Sequence, residues 1–323
     1  MNLPKNPSEL KSIDTLRGRN LTGIGDLTIE EVNLLLDTAD LLKKTIKEDI
    51  TCQQSILAGK TLAMIFEKPS LRTRVTFETG MSQLGGHAIY LAPADIRLGV
   101  RETVPDVAQN LSRWVDVIMA RVFAHETIVG LAENATVPVI NGLCDMEHPC
   151  QTLADFQCIR EHKGDFKGRK LVFIGDGNNV AHSLMLLAAK VGMNFTIACP
   201  EGYDPSAEIL HQARDIADGT GSIIEVVRDP FVAVREADAL YTDVWASMGQ
   251  EEETEKRKKD FAGYQVNSEL VAAAKADAIV LHCLPAHRGE EISAEVLDGP
   301  QSVVLDEAEN RLHAQKAVLA LVG

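Results

Sequence analysis

Nine short apolar runs recur along the chain, with helix-like stretches between them. In the first half they cover residues 61–66, 88–91, 117–120 and 137–140. In the second half they cover 170–174, 195–198, 223–227, 239–242 and 278–281. Runs that are apolar on both faces suit strands covered by helices on both sides. Their alternation with helices predicts an α/β fold built on parallel sheets. A chain of 323 residues is long enough for two such domains.

The helical stretches carry readable ends. Thr28 with Glu31 fits a capping box, and Val32, Leu35, Ala39, Leu42 and Ile46 follow at helical spacing. A second helix is expected over 72–84, stopped by Gly85-Gly86, and another over 152–162, ended by Gly164. The stretch 161–170 is polar and glycine-punctuated, which places a domain split near residue 150 with the following helix as connector. The charge block Glu251-Glu252-Glu253, then 256–259, reads as a solvated surface segment or as a lid.

Formal net charge is −15, from 32 basic and 47 acidic residues. That balance argues against a nucleic-acid binder, although a local basic pocket for a small anion remains open. No apolar run reaches the ~18 residues of a membrane span. The charged first fifty residues predict no secretory leader, so a cytoplasmic protein with reduced thiols is expected. The cysteines at 52, 144, 150, 158, 199 and 283 form no CxxC pair, and the scattered histidines form no metal pattern.

Five segments could carry chemistry, four of them directly after an apolar run. In 66–74, Ser70 can cap a helix whose first turn holds Arg72, Thr73 and Arg74; that suits a phosphate, or an ordinary cap with surface arginines. In 145–151, His148 and Gln151 could grip a carbonyl or amide at the domain junction. Gly175-Asp176-Gly177-Asn178-Asn179 opens like a dinucleotide fingerprint, but Val180 stands where its third glycine belongs. A loop offering asparagines to a small polar ligand fits better. Asp243, at a strand end before Ser247-Met248-Gly249, could pair with an ammonium group or cap a helix. Cys283, in His282-Cys283-Leu284-Pro285, could be a nucleophile, a polar contact or a buried filler. No thiol-hydrolase ordering supports covalent catalysis.

Taken together, in order and spacing, these segments resemble the ornithine carbamoyltransferases from about residue 19 onward. Ser70-Leu71-Arg72-Thr73-Arg74 resembles the carbamoyl-phosphate signature, and His148-Pro149-Cys150-Gln151 the second carbamoyl-phosphate segment. Asp243 with Ser247-Met248-Gly249 is similar to the ornithine loop. His282-Cys283-Leu284-Pro285 is similar to the segment that separates ornithine from aspartate enzymes. The resemblance implies an α/β enzyme of two domains, each a parallel sheet flanked by helices, with the active site in the cleft between them. Residues 1–149 would bind carbamoyl phosphate and 150–306 ornithine, with the helix 307–323 packing back on the first domain. It implies a trimer or a multiple of trimers, no metal or organic cofactor, and a cis bond before Pro285.

Carried onto this chain, the resemblance gives the phosphate to Ser70, Leu71, Arg72 and Thr73. It has Arg121 reach both phosphate and carbonyl, His148 and Gln151 bind the carbamoyl group, and the carbonyls of Cys283 and Leu284 accept its amine. Arg311 completes that pocket, while Asn179, Asp243, Ser247 and Met248 seat ornithine. Arg72, Arg121, His148 and Cys283 would be the catalytic set, Cys283 or phosphate itself relaying the amine proton. Leu71 stands where the family usually has Thr, a form shared with relatives that use N-acetylornithine but are not expected to keep an intact Ser-Met-Gly loop. Arg97 stands where a neighbouring subunit often supplies Gln or His; it would reach the adjacent phosphate site, or face solvent. Putrescine transfer and a catalytically silent binding subunit are the other readings, disfavoured by Asp243 beside its loop and by the full set of competent residues.

Overall fold

The computed structural model describes residues 6–49, 51–246 and 251–323. Ser247 and Met248, expected to seat ornithine, lie outside the described residues. The chain divides into two compact units. One comprises Met1–Gln157 with Glu309–Gly323, and the other Cys158–Ala308.

The first unit is built on a parallel sheet of β1 (Thr61–Phe66), β2 (His87–Leu91), β3 (Val117–Arg121) and β4 (Val139–Leu143), in the order β2-β1-β3-β4. Around it run α1 (Ile29–Glu48), α2 (Leu71–Gln83), α3 (Pro93–Ile96), α4 (Val104–Leu111), α5 (His125–Asn134) and the start of α6 (Pro149–Lys163). The Thr28–Glu31 capping box is formed in both directions. β4 starts two residues later than its apolar run, because Pro138 has no N–H to give to the ladder. α6 starts earlier than expected, since Pro149 suits a first helical turn. Gly85 ends the turn after α2 at φ +86°, where a Cβ would lie 1.7 Å from the Gln54 carbonyl oxygen.

The second unit is a parallel sheet of β5 (Lys170–Ile174), β6 (Asn194–Ala198), β7 (Ile224–Val227), β8 (Ala239–Thr242) and β9 (Ile279–His282), in the order β7-β6-β5-β8-β9. Its helices are the rest of α6, then α7 (Asn179–Val191), α8 (Ala207–Thr220), α9 (Pro230–Ala233), α10 (Thr254–Asp260), α11 (Ser268–Ala272) and α12 (Ala294–Leu297). α13 (Val304–Val322) starts here and finishes in the first unit. The strands β5, β8 and β9 are buried nearly throughout, as their double apolar faces demand. Among the described residues, no helix is long and apolar enough to cross a membrane. All six cysteines are free thiols.

The charge block is not wholly a solvated segment. Inside α10, Arg257 is buried. Its Nη1 donates to Asp176 Oδ2 at 2.6 Å and to the Trp245 carbonyl at 2.9 Å, and its Nε to Glu253 at 2.9 Å. Its guanidinium also lies 5.0 Å from the Tyr203 ring. Burial raises the Asp176 carboxyl above its ordinary value even with this partner. Replacing Arg257 by Met leaves that carboxylate uncompensated, so denaturant unfolding should report a loss of about 3–5 kcal/mol.

On α13, Lys316 is fully buried and donates to Gln53 Oε1 at 2.8 Å and Gln83 Oε1 at 2.9 Å. Burial lowers this amine from 10.5 to about 8. Burial, then the Lys316 charge, lowers His313 from 6.5 to about 3. In both cases the folded state disfavours the protonated form. Stability should therefore fall as pH drops from 6.5 towards 3, and rise as pH climbs from 8 to 10.5. Melting temperatures against pH should lose the first slope in His313→Gln and the second in Lys316→Met.

Candidate active site

The order of each sheet says where to look. In open parallel sheets, ligands bind beyond the carboxyl ends of the strands, where the strand order reverses. In the first unit that point lies between β1 and β3. Phe66 pairs with Arg121 there, and the Glu67 N–H donates to the Arg121 carbonyl at 2.8 Å. The segment leaving β1 leads straight to Ser70, and β3 ends on Arg121. Against β4 the register slips after Ala120, so Arg121 opposes Leu143 and Gly142 is skipped. Such a bulge re-aims the side chain that follows.

Ser70 caps α2, its Oγ accepting from the Thr73 N–H at 3.2 Å. Thr73 is buried, and its hydroxyl oxygen accepts from Arg121 Nη1 at 3.4 Å and Arg311 Nη2 at 3.2 Å. Arg311 Nη1 also donates to Gln151 Oε1, and Gln151 Nε2 to Asp155 Oδ1 at 2.7 Å. Arg121 is 6% and Arg311 2% exposed, so both guanidiniums are nearly dry. His148, just ahead of α6, is buried beside them. Burial, then Arg311, Arg121 and Arg72, holds its imidazole well below 6.5, so it is neutral at pH 7. The half-buried amine of Lys68 is lowered by burial and by Arg121. Guanidinium charges, a neutral imidazole and the amino ends of α2 and α6 together make a receptor for a small anion carrying a carbonyl group.

The Leu71 side chain is 72% exposed. Arg97 is exposed, ends α3 in the left-handed region at φ +48°, and lines a surface pocket with Phe66, Glu67 and Phe123.

In the second unit the strand order reverses between β5 and β8. Ile174 pairs with Thr242, and Thr242 with His282. That register places Gly175-Asp176-Gly177-Asn178, Asp243 and Cys283 side by side. Asp243 is 8% exposed. Its Oδ1 accepts from the Val244 N–H at 2.8 Å and the Cys283 thiol at 3.0 Å, and its Oδ2 from Asn178 Nδ2 at 2.9 Å. The carboxylate is thus fixed in direction, as recognition of an ammonium group requires. Asn178 makes that link. Its Oδ1 caps α7 by accepting from the Val180 and Ala181 N–H groups. An asparagine just ahead of an apolar run is a helix-cap signal visible in the sequence. Asn179 is the first residue of α7 and is half-buried.

Gly177 explains the broken fingerprint. A Cβ there would lie 2.2 Å from the Pro205 nitrogen and 2.5 Å from the Asp204 carbonyl carbon. The glycine admits the chain's own backbone. Asp243, His282 and Cys283 bring ligand atoms within 4.8 Å of one another; Asp243 is bonded to Asn178 and His282 to Glu291, and the Cys283 thiol donates within the trio to Asp243. Leu284 is left-handed at φ +55°, and the Leu284–Pro285 bond is cis, as the resemblance implied.

Residues 19–161 match the carbamoyl-P binding domain, and 167–322 the Asp/Orn binding domain, of aspartate/ornithine carbamoyltransferase. The chain is 56% identical over 304 residues to the ornithine carbamoyltransferase of Oceanobacillus iheyensis, covering 94% of each. It is 55% identical to the anabolic ornithine carbamoyltransferase of Pyrococcus furiosus, over 95% of this chain and 97% of that one. The solved ornithine carbamoyltransferase of Pyrococcus furiosus superposes with a TM-score of 0.92 at 55% identity, over 95% of this chain and 97% of that one. Domain matches over residues 19–161 and 167–322 and relatives of this identity leave one conclusion: the chain belongs to the aspartate/ornithine carbamoyltransferase family.

Proposed function

We propose that the chain transfers the carbamoyl group of carbamoyl phosphate to the δ-amine of L-ornithine, giving L-citrulline and phosphate. The observation that carries this reading is the pair of nearly dry guanidiniums on the Thr73 hydroxyl, beside the buried neutral His148. Arg72, Arg121 and Arg311, with the α2 first-turn amides, match the charge of the phosphoryl group. His148 and Gln151 face the carbamoyl end, and the carbonyls of Cys283 and Leu284 accept its amine hydrogens. Asp243, held by Asn178 and Cys283, takes the α-ammonium of ornithine, with Asn179, Ser247 and Met248 as further contacts.

The chemistry follows from charge. An alkyl amine has a pKa of about 10 in water and must lose a proton before it attacks. Its lone pair forms a bond to the carbamoyl carbon, and the carbonyl oxygen becomes an oxyanion. Arg72, Thr73, Arg121 and His148 stabilise that oxygen; such donors are worth about 3–4 kcal/mol each. The carbon–oxygen bond to phosphate then breaks; the proton lost before attack passes to solvent, and the departing phosphate takes the second proton from the nitrogen of the adduct. The Cys283 thiol donates to Asp243, which supports a holding role for it rather than a relay. We read the enzyme as cytoplasmic, serving arginine biosynthesis as a trimer or a multiple of trimers, with Arg97 reaching a neighbour's phosphate site.

A product assay tests the reading: carbamoyl phosphate with ornithine, putrescine, N-acetylornithine and aspartate in separate reactions. Citrulline is expected to form fastest. Fast carbamoylation of putrescine or N-acetylornithine without citrulline would overturn the substrate, and no product with any acceptor would leave a silent binding subunit. The kcat–pH profile should show no break near 6.5, because His148 stays neutral across that range. A break there that disappears in His148→Gln would contradict the role given to this imidazole.

A further inference from the structure

Immediately after β9 the backbone adopts a conformation that leucine disfavours. Leu284 sits at φ +55°, where a Cβ crowds the following carbonyl. Its N–H donates to Nδ1 of His282, two residues back, at 2.9 Å. A ring nitrogen that accepts a hydrogen bond carries no proton, so the imidazole proton of this state is on Nε2. Nε2 faces Oε1 of Glu291 at 3.1 Å, and both side chains are completely buried. That same oxygen accepts from the His287 N–H at 2.5 Å. The main chain of Glu291 is itself fixed, its carbonyl accepting from the Val266 N–H at 2.8 Å. The His282 N–H is held by Glu307 Oε2 at 2.8 Å. Of the other charged or titratable groups close by, Glu290 pairs with Lys258 at 2.9 Å, while His287 Nδ1, half-exposed, lies 3.9 Å from Oε2, the second oxygen of the same Glu291 carboxylate.

A chain of control runs from a carboxylate to a tautomer to a backbone amide. We infer that Glu291, acting through His282, is a positioning residue that sets the peptide carbonyls of Cys283 and Leu284 for the carbamoyl amine. This rests on the role proposed above for those carbonyls. Neither Glu291 nor His282 need touch substrate. The buried carboxylate selects the Nε2–H tautomer, which leaves Nδ1 bare, and the bare nitrogen holds the left-handed turn. A hydrophobic pair of equal volume could fill the space but could not hold that amide.

The test uses the full chain and three variants. His282→Asn puts an amide oxygen near the place of Nδ1 and gives up Glu291. His282→Gln reaches towards Glu291 and offers nothing to the Leu284 N–H. Glu291→Gln keeps an acceptor and loses the charge that selects the tautomer. The Asn variant should stay within about 5-fold of the parent kcat, whereas the Gln variant at 282 should lose about 100-fold, the scale of a small misplacement in a site. The loss should come with a raised carbamoyl-phosphate KM and an ornithine KM within about 2-fold, a split that partial unfolding would not produce. Nitrogen-15 NMR of labelled histidines should show the Nε2–H tautomer at His282 in the parent and a second tautomer in Glu291→Gln. Equal activity of the two 282 variants, or an Nδ1–H tautomer in the parent, would overturn the inference. If the 282 variants do not fold, the parent's tautomer decides alone. A parent that makes no citrulline defeats the proposed function instead, and the tautomer measurement remains valid.

Discussion

Two guanidiniums share one threonine oxygen, and the first unit is arranged around that fact. Arg121 and Arg311 meet at Thr73 with almost no water around them. Two like charges in a dry place repel, and each has lost solvation. Thr73 and Gln151 are neutral acceptors that satisfy hydrogen-bonding geometry for these guanidiniums. Buried guanidiniums on neutral acceptors favour an anion beside them. An acidic chain of net −15 thus keeps a strongly positive spot by burying it.

The three groups come from distant parts of the sequence, yet the topology makes their meeting natural. Thr73 opens the helix after β1, Arg121 closes β3, and Arg311 lies on the last helix, whose end belongs to the same unit. The second unit uses the same rule with opposite charge. Its strand-order reversal presents Asp243 between Asn178 and Cys283. One kind of sheet, used twice, offers a cationic receptor and an anionic one.

Much of this was legible in the sequence, for a physical reason. Doubly buried parallel strands read as plain apolar runs, so strands such as 61–66, 170–174 and 239–242 have the bounds their residues suggest. Side chains that follow a strand directly, such as Asp243 and Cys283, were legible for the same reason. The misses are residues whose role is set by partners far along the chain. Arg257 lies in a run of lysines and glutamates, and nothing local says that Asp176, 81 positions away, draws it inward. Asn178 and Asn179 are equivalent in a string of letters; only the start of α7 decides which one caps and turns towards Asp243. Glu291 stands beside Glu290, yet one is fully buried and the other pairs with a surface lysine.

Gly177 carries a consequence for what this fold can become. In dinucleotide-binding sheets, the second glycine of the first strand–helix turn lets a pyrophosphate come close to the backbone. Here the chain's own segment at Asp204 and Pro205 stands against that glycine. That face of the glycine is covered by main chain, not by a side chain that substitution could trim. Descendants of this scaffold could change the side chains around Asp243 one at a time. Acquiring a nicotinamide would instead require moving a loop, a rearrangement that point mutation does not reach.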